Sequence, residues 1–206
     1  MILIGENLNV MVKKIGTAMK EKDPKPIRQL ALAEAEAGVH AMIAHDGPFY
    51  YRCGYKKQPP IHSEPIRFEL GKAITAREGS DATILFTGTI GNQVMPAAEQ
   101  LAAEGINCRV VSLHTVKPID RAAIVAAARE TGAIIAVEEH QLQGGLGSAV
   151  AECLSGLARH APVLRLGVRD CFGESGLADE LLEKHGLQPG GIHASILARL
   201  RPSYFR

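Results

Sequence analysis

The stretch Ala133-Ile-Ile-Ala-Val-Glu-Glu-His-Gln-Leu-Gln-Gly-Gly-Leu-Gly-Ser-Ala-Val150 decides the fold. It opens with Ala133–Val137, an apolar run too short for a helix and bounded by turn-forming residues, so it reads as a buried strand. Two carboxylates, Glu138 and Glu139, end the run, and His140 follows. After a polar link come Gly144-Gly145-Leu146-Gly147, and from Ser148 apolar residues recur at helical spacing. Strand, turn and helix in that order are the repeating parts of a parallel α/β sheet. In such sheets the groups that meet ligands gather at the carboxyl ends of strands. Part of any polar site is therefore expected here.

Working outward, the same rhythm covers the C-terminal two-thirds of the chain. Strands are predicted at Ala82–Thr87, Asn107–Leu113 and Pro162–Gly167. A helix is predicted over Asn92–Glu104, where Val94, Ala97, Ala98, Leu101 and Ala102 share one face and Gly105 closes the end. A second runs over Pro118–Arg129, with Pro118 in the first turn, Asp120 near the start and Gly132 past the end. Gly147–Arg159, Ser175–Lys184 and Gly190–Leu200 are further helices. Ahead of these units, Arg67–Ile74 reads as a short strand and Glu78–Asp81 as a turn. Right-handed crossovers then fix the winding. The expected fold class is α/β: a three-layer α/β/α domain with a mostly parallel sheet over about Ile66–Arg206.

The first third reads differently. Met1–Ile4 is strand-like, Lys13–Glu21 could form a short helix, and Asp23-Pro24 starts another helix that Gly38 ends. Ile2-Leu3-Ile4-Gly5-Glu6-Asn7-Leu8-Asn9, Lys22-Asp23-Pro24 and Ala33–Gly38 together resemble the start of the pterin-binding methyltransferases that act on methyltetrahydrofolate. That family is a TIM barrel, of which one strand-helix unit out of eight is matched. Residues 1–40 are thus expected to be an appendage. From Ala41 a different text begins. His45-Asp46-Gly47-Pro48 turns the chain, Phe49–Cys53 is aromatic and strand-prone, and Gly54–Pro65 reads as an extended linker. Residues 41–65 form the second segment.

Composition removes several classes of function. The formal net charge is +1 over 206 residues, so there is no electrostatic case for nucleic acid. No apolar run reaches the length of a membrane span, and Met1–Gly5 followed by Glu6 is unlike a signal peptide. The four cysteines, Cys53, Cys108, Cys153 and Cys171, are far apart. They read as reduced thiols of a cytoplasmic protein rather than zinc ligands.

From about Ala41 to the end, the sequence resembles the C-terminal section of a transketolase, and most nearly the small subunit of split transketolases. The residues that carry the resemblance run in order along the chain. They are His45–Arg52, Phe68–Ala73, Asp81–Gly88, Val116-Lys117-Pro118-Ile119-Asp120, Val137–His140, Gly144–Ala149 and Phe172-Gly173-Glu174-Ser175-Gly176. Pyruvate dehydrogenase β subunits and deoxyxylulose phosphate synthase are similar in their last domain. The resemblance implies a component of a thiamine-diphosphate-dependent enzyme that moves two-carbon ketol units between sugar phosphates. It also implies that thiamine diphosphate and magnesium are held by other domains, and that this C-terminal domain supports a homodimer. A further subunit carrying the diphosphate-binding domain is an implied partner. No Gly-Asp-Gly metal motif occurs in the sequence, and the segment expected to carry the activating glutamate is replaced by the methyltransferase-like piece. The chain alone is therefore expected to hold no cofactor and to be inactive. A non-catalytic dimerisation module derived from that domain is the alternative.

Each candidate residue keeps two readings. Glu138, Glu139 and His140 fit a general acid/base cluster, or hydrogen-bonded residues of an interface loop. Gly144 and Gly145 fit an anion cradle at a helix N-terminus, or close strand-to-helix packing; Val150 breaks the dinucleotide spacing, and the glutamates would repel phosphate. Glu174 lies in the polar loop Arg169–Ser175, where it or Ser175 fits a helix cap, and Cys171 lies nearby. The resemblance suggests a substrate-phosphate contact near Arg52. There the family commonly has an arginine where this sequence has Gly54-Tyr55, followed by Lys56 and Lys57. A lysine supplies charge without the bidentate fork.

Overall fold

A computed structural model of the chain describes residues 40–52, 61 and 68–200. The expectations for residues 1–39, the linker, Cys53, Lys56 and Lys57 lie outside the described residues. The chain divides into two units, Met1–Leu70 and Gly71–Arg206.

In the first unit, residues 40–44 are helical and the His45 amide donates to the Met42 carbonyl at 3.4 Å. Gly47 takes a φ of +133°. The rings of His45 and Phe49 meet edge-on at 5.6 Å between centroids. Among residues 49–52 only Tyr51 makes a bridge, and it is isolated. The strand expected from Phe49 is therefore not an extended ladder over the described residues 49–52.

The second unit is built on a five-stranded sheet in the order β1-β3-β2-β4-β5. Its strands are β1 (Ile74–Arg77), β2 (Ala82–Phe86), β3 (Cys108–Ser112), β4 (Ile134–Gln141) and β5 (Val163–Val168). The four strands from β2 onward are mutually parallel, while β1 runs antiparallel along β3. All five residues of β2 are buried, as a strand covered on both faces requires. The short strand expected at Arg67–Ile74 begins only at Ile74, because Gly71 turns the chain with a φ of +77°. A Cβ there would also press on the Pro118 ring at 3.2 Å.

Helices follow the strands: α1 (Gly91–Ala103), α2 (Arg121–Glu130), α3 (Leu146–Leu154), α4 (Ala178–Lys184) and α5 (Pro189–Leu200). The chain steps from β2 to β3 in one direction, then crosses back over β2 to β4 and on to β5. With right-handed crossovers, that reversal puts α1 on one face and α2 and α3 on the other. The core agrees. Leu85, Val111, Ile134 and Ala136 pack with Ile124 and Ala128 of α2 and Val150, Cys153 and Leu154 of α3. The alternate strand positions, Ile84, Phe86, Val110, Ile135 and Val137, are also fully buried. They face the opposite way, toward the side where α1 packs with α5. The result is the expected three-layer α/β/α fold.

Two polar devices position these layers. Thr83 Oγ1 meets Thr131 Oγ1 at 3.0 Å in the interior, and Thr131 also reaches the Ala127 carbonyl at 2.9 Å. Asp120 caps α2 by accepting from the Ala123 amide at 3.0 Å and ties down the lead into β1 through the Ala73 amide at 2.9 Å. Pro118, expected in the first helical turn, precedes the cap instead, because Asp120 is a better N-cap than any residue before it. No described helix is long and apolar enough to cross a membrane.

Candidate functional site at the carboxyl end of the fourth strand

Ala133–Val137 is the start of a longer strand than its sequence suggested. β4 continues through Glu138, Glu139 and His140 to Gln141. Along this segment Val137 pairs with Leu166 of β5 and Gln141 with Val168, so β4 spends four steps where β5 spends two. The excess is an irregularity of the bulge kind, which bends a strand and re-aims its side chains. Gly167 makes room for it: a Cβ there would sit 2.9 Å from the His140 carbonyl and 3.1 Å from Glu138 Cγ. The sequence offered no reason to single out that glycine.

The bulge sends the two glutamates to different elements. Glu138 is fully buried. One of its carboxylate oxygens accepts from the Leu146 amide at 2.8 Å and the other from the Gly147 amide at 2.9 Å. These are the first amides of α3, which have no partner inside the helix. Their positive end suits a carboxylate. Gly145, the residue before the helix, must be glycine: a Cβ would collide with the Glu138 carboxylate and lie 2.6 Å from the Gln141 carbonyl. The anion cradle weighed for the glycine-rich turn is present, and the carboxylate it holds belongs to the chain itself.

Glu139 is half-buried and accepts from Thr89 Oγ1, at 2.9 and 3.1 Å to its two oxygens. Thr89 belongs to the 3-10 turn Gly88–Ile90 that leads from β2 into α1. This contact joins neighbouring strands β2 and β4 where the winding reverses. His140 is half-buried beside them on the same strand. Gly144 is exposed with a φ of +76°, and its amide donates to Ser148 Oγ at 3.0 Å. The Ser148 hydroxyl in turn donates to the Leu142 carbonyl at 2.9 Å.

Glu174 lies apart from this group. It is exposed and pairs with Lys184, whose hydrogen bond and charge hold its carboxyl below the usual range. Neither it nor Ser175 caps α4. The cap position is Leu177, and Glu180 closes the turn by accepting from the Leu177 amide at 3.3 Å. The polar loop reaches β4 through Gln141, which donates to the Cys171 carbonyl at 2.7 Å. Arg52 is exposed, in the first unit.

Other titratable groups are tuned by structure. Burial, with Asp81 adding to it, pushes the Cys108 thiol up to about 11, against a smaller opposing pull from Arg77. Burial alone would raise Asp120, but the Ala73 and Ala123 amides, the Lys72 charge and the Ala122 amide outweigh it. The carboxyl rests below its ordinary value. Among the described residues, Cys108, Cys153 and Cys171 are free thiols. No group of three or more His, Cys, Asp or Glu residues there could hold a metal ion. An open cavity of about 470 Å³ lies at the amino ends of the strands, lined by Ser80, Asp81, Gly105, Ile106, Gly132 and Leu200. That is the far end of the sheet from Glu138.

This architecture matches known proteins. A family profile described as "Transketolase, C-terminal domain" covers residues 71–192. The chain belongs to that family. It is 48% identical over 155 residues to a 6-deoxy-6-sulfo-D-fructose transketolase subunit of Clostridium sp. (strain MSTE9), a match spanning 75% of this chain and 48% of that protein. It is 34% identical over 165 residues to a putative transketolase C-terminal section of Methanocaldococcus jannaschii, covering 79% of this chain and 51% of that one. A 1-deoxy-D-xylulose-5-phosphate synthase of Syntrophotalea carbinolica is 39% identical over 158 residues, which are 74% of this chain and 24% of the enzyme. Among solved structures, one titled as a split-gene transketolase in an inactive β4 tetramer superposes with a TM-score of 0.76 at 43% identity. The match covers 82% of this chain and 55% of that chain. The chain thus spans about half or less of these relatives. In the transketolase-type domain the first two α3 amides, which could otherwise take a phosphate, are held by Glu138.

Proposed function

We propose that this chain is the C-terminal component of a thiamine-diphosphate-dependent, transketolase-like enzyme that transfers a two-carbon ketol unit between sugar phosphates. In this reading thiamine diphosphate and magnesium are bound by another subunit that carries the diphosphate-binding domain. The chain associates with copies of itself, supports that assembly, and is inactive alone. Glu138, Glu139, His140, Gly144, Gly145 and Glu174 act as an interface and scaffold region rather than as groups that touch substrate. The first unit supplies the end of a pyrimidine-type domain, with Arg52, Lys56 and Lys57 as candidate contacts to substrate phosphate. The cytoplasm is the proposed location, a reading supported by the free thiols of the described cysteines.

The observation that carries the proposal is the closed α3 N-terminus. A buried carboxylate that takes the first two amides of α3 supports reading the unit as a scaffold rather than a phosphate receptor. The relatives' names supply the reaction class. The test is reconstitution: the chain is mixed with a subunit bearing the diphosphate-binding domain, and ketol transfer is followed with and without each part. Activity that needs both supports the reading, and full activity of either part alone contradicts it. A second reading, a dimerisation module that no longer serves catalysis, is favoured by the exposed side chains of Phe172 and Leu177. Self-association without any rate gain on mixing would select it.

A further inference from the structure

Asp46-Gly47 is the one Asp-Gly pair in the 206 residues, and no asparagine precedes a glycine. The amide nitrogen after an aspartate can attack the side-chain carboxyl and close a five-membered succinimide ring. Glycine in the second position favours this, because no Cβ hinders the approach and the backbone turns freely. Water then reopens the ring to aspartate or to isoaspartate. A folded chain suppresses the reaction by committing the carboxylate to hydrogen bonds, or by locking the amide into a helix or sheet.

Asp46 lacks both protections. It is exposed, and neither it nor Gly47 belongs to a helix or strand. Its carboxylate makes no hydrogen bond or ion pair among the described residues. Gly47 takes a φ of +133°, a backbone region that glycine enters readily and other residues do not. Other aspartates are held. Asp81 accepts from the Asn107 amide at 2.6 Å, and Asp120 from the Ala73 and Ala123 amides. Asp179 sits within α4. Asp170 is exposed with a φ of +45°, but the side chain of Cys171 follows it.

A proton carrier stands beside the pair. His45 Nε2 lies 3.6 Å from the point that a Cβ on Gly47 would occupy, so the imidazole borders the Gly47 backbone. Phe49 braces the ring edge-on, with 5.6 Å between centroids. The His45 amide is tied to the Met42 carbonyl at 3.4 Å. An imidazole can accept a proton on one nitrogen and give one back, which is what ring closure requires.

We propose that Asp46-Gly47 is a self-modification site, at which the chain converts Asp46 to isoaspartate with His45 as the proton carrier. The Gly47 nitrogen bonds to Cγ of the protonated Asp46 carboxyl. His45 takes the amide proton and returns a proton to the departing hydroxyl, which leaves as water. A second water adds to the main-chain carbonyl carbon of Asp46 and breaks its bond to the Gly47 nitrogen, which takes up a proton. The chain then runs through Cβ and Cγ, the α-carboxylate is free, and the net composition is unchanged. The main chain gains one carbon ahead of residues 49–52, the run that carries the candidate phosphate contact Arg52.

The test is incubation of the purified full chain in heavy-oxygen water at physiological temperature and pH. Peptide mapping with electron-transfer fragmentation then locates isoaspartate and its label. Labelled isoaspartate should accumulate at position 46 at least about 10-fold faster than at Asp170. Asp46→Glu, which would need a six-membered ring, should give no labelled product at that position. His45→Ala should slow the conversion about 3-fold or more, and imidazole added to the buffer should restore part of the loss. Both residues are exposed, and far-UV circular dichroism checks that each variant is folded. A rate at Asp46 no faster than at Asp170 overturns the site. An unchanged rate in His45→Ala, or a loss that imidazole does not restore, overturns the role of His45 as proton carrier.

Discussion

Replacing Glu138 by glutamine tests the closed helix end directly. The side chain keeps its size, and one oxygen still accepts from an α3 amide. The other position becomes an NH2 group facing a backbone N–H, so two donors meet with no acceptor between them. Leaving a buried donor unsatisfied costs about 1–3 kcal/mol, and here two are left. The lost attraction between carboxylate and helix end adds up to ~1–2 kcal/mol. Against this, a neutral amide escapes the several kcal/mol that desolvating a carboxylate costs. The unsatisfied donors win because the site is fully buried and water cannot replace the missing oxygen. The expected net loss is about 2–4 kcal/mol, a large share of the ~5–15 kcal/mol that holds a domain together. Tm should fall by roughly 5–15 °C. The chain has no tryptophan, so urea unfolding is best followed by far-UV circular dichroism, with the slope m unchanged and the midpoint lowered. A Glu138→Gln variant within ~0.5 kcal/mol of the parent would refute the reasoning, since such a result belongs to a surface residue.

Other outcomes follow from neighbouring contacts. Glu139→Gln, which keeps an acceptor for Thr89, should cost no more than about 1 kcal/mol, so adjacent glutamates should differ clearly in the same urea assay. Gly145→Ala should destabilise by about 1–3 kcal/mol, because the added methyl meets the Glu138 carboxylate and the Gln141 carbonyl. Asp120→Ala should cost about 1–2 kcal/mol near neutral pH. The folded carboxyl sits below its unfolded value. Its contribution is therefore complete above the unfolded pKa and is lost as pH falls through the folded one. Acid unfolding curves of parent and variant should accordingly start to approach each other only below about pH 4 and converge under the folded pKa, which lies lower still. Alkylation at pH 8, mapped by mass spectrometry, should label exposed Cys171 and spare Cys108. The latter's pKa of about 11 leaves roughly one thiolate in a thousand.

Much of the fold was legible because apolar runs and glycine stops agree. β2, β3 and β5 lie within a residue or two of their sequence-based bounds, and α1 does too. The antiparallel course of β1 was hidden, since direction is set by pairing with β3 and not by any pattern in Ile74–Arg77. The full length of β4 is hidden because Glu138, Glu139, His140 and Gln141 look like solvent-facing loop. Nothing local to Glu138 says that amides eight and nine residues later will receive it. A partial signal existed in the glycines: a turn of Gly144-Gly145 with Gly147 beyond it admits a close approach, though not whose. Thr89 and Gly167 act through bulge geometry, which periodicity does not encode. The family resemblance from about Ala41 onward rests on several ordered motifs, so it does not depend on any one of these local details.

The most direct measurement is calorimetric titration of the purified full chain with thiamine diphosphate in excess magnesium. A scaffold whose helix-end amides already hold Glu138 should give no saturable heat at cofactor concentrations of about 100 μM. A micromolar isotherm with one site per chain would mean that these residues build a coenzyme pocket after all.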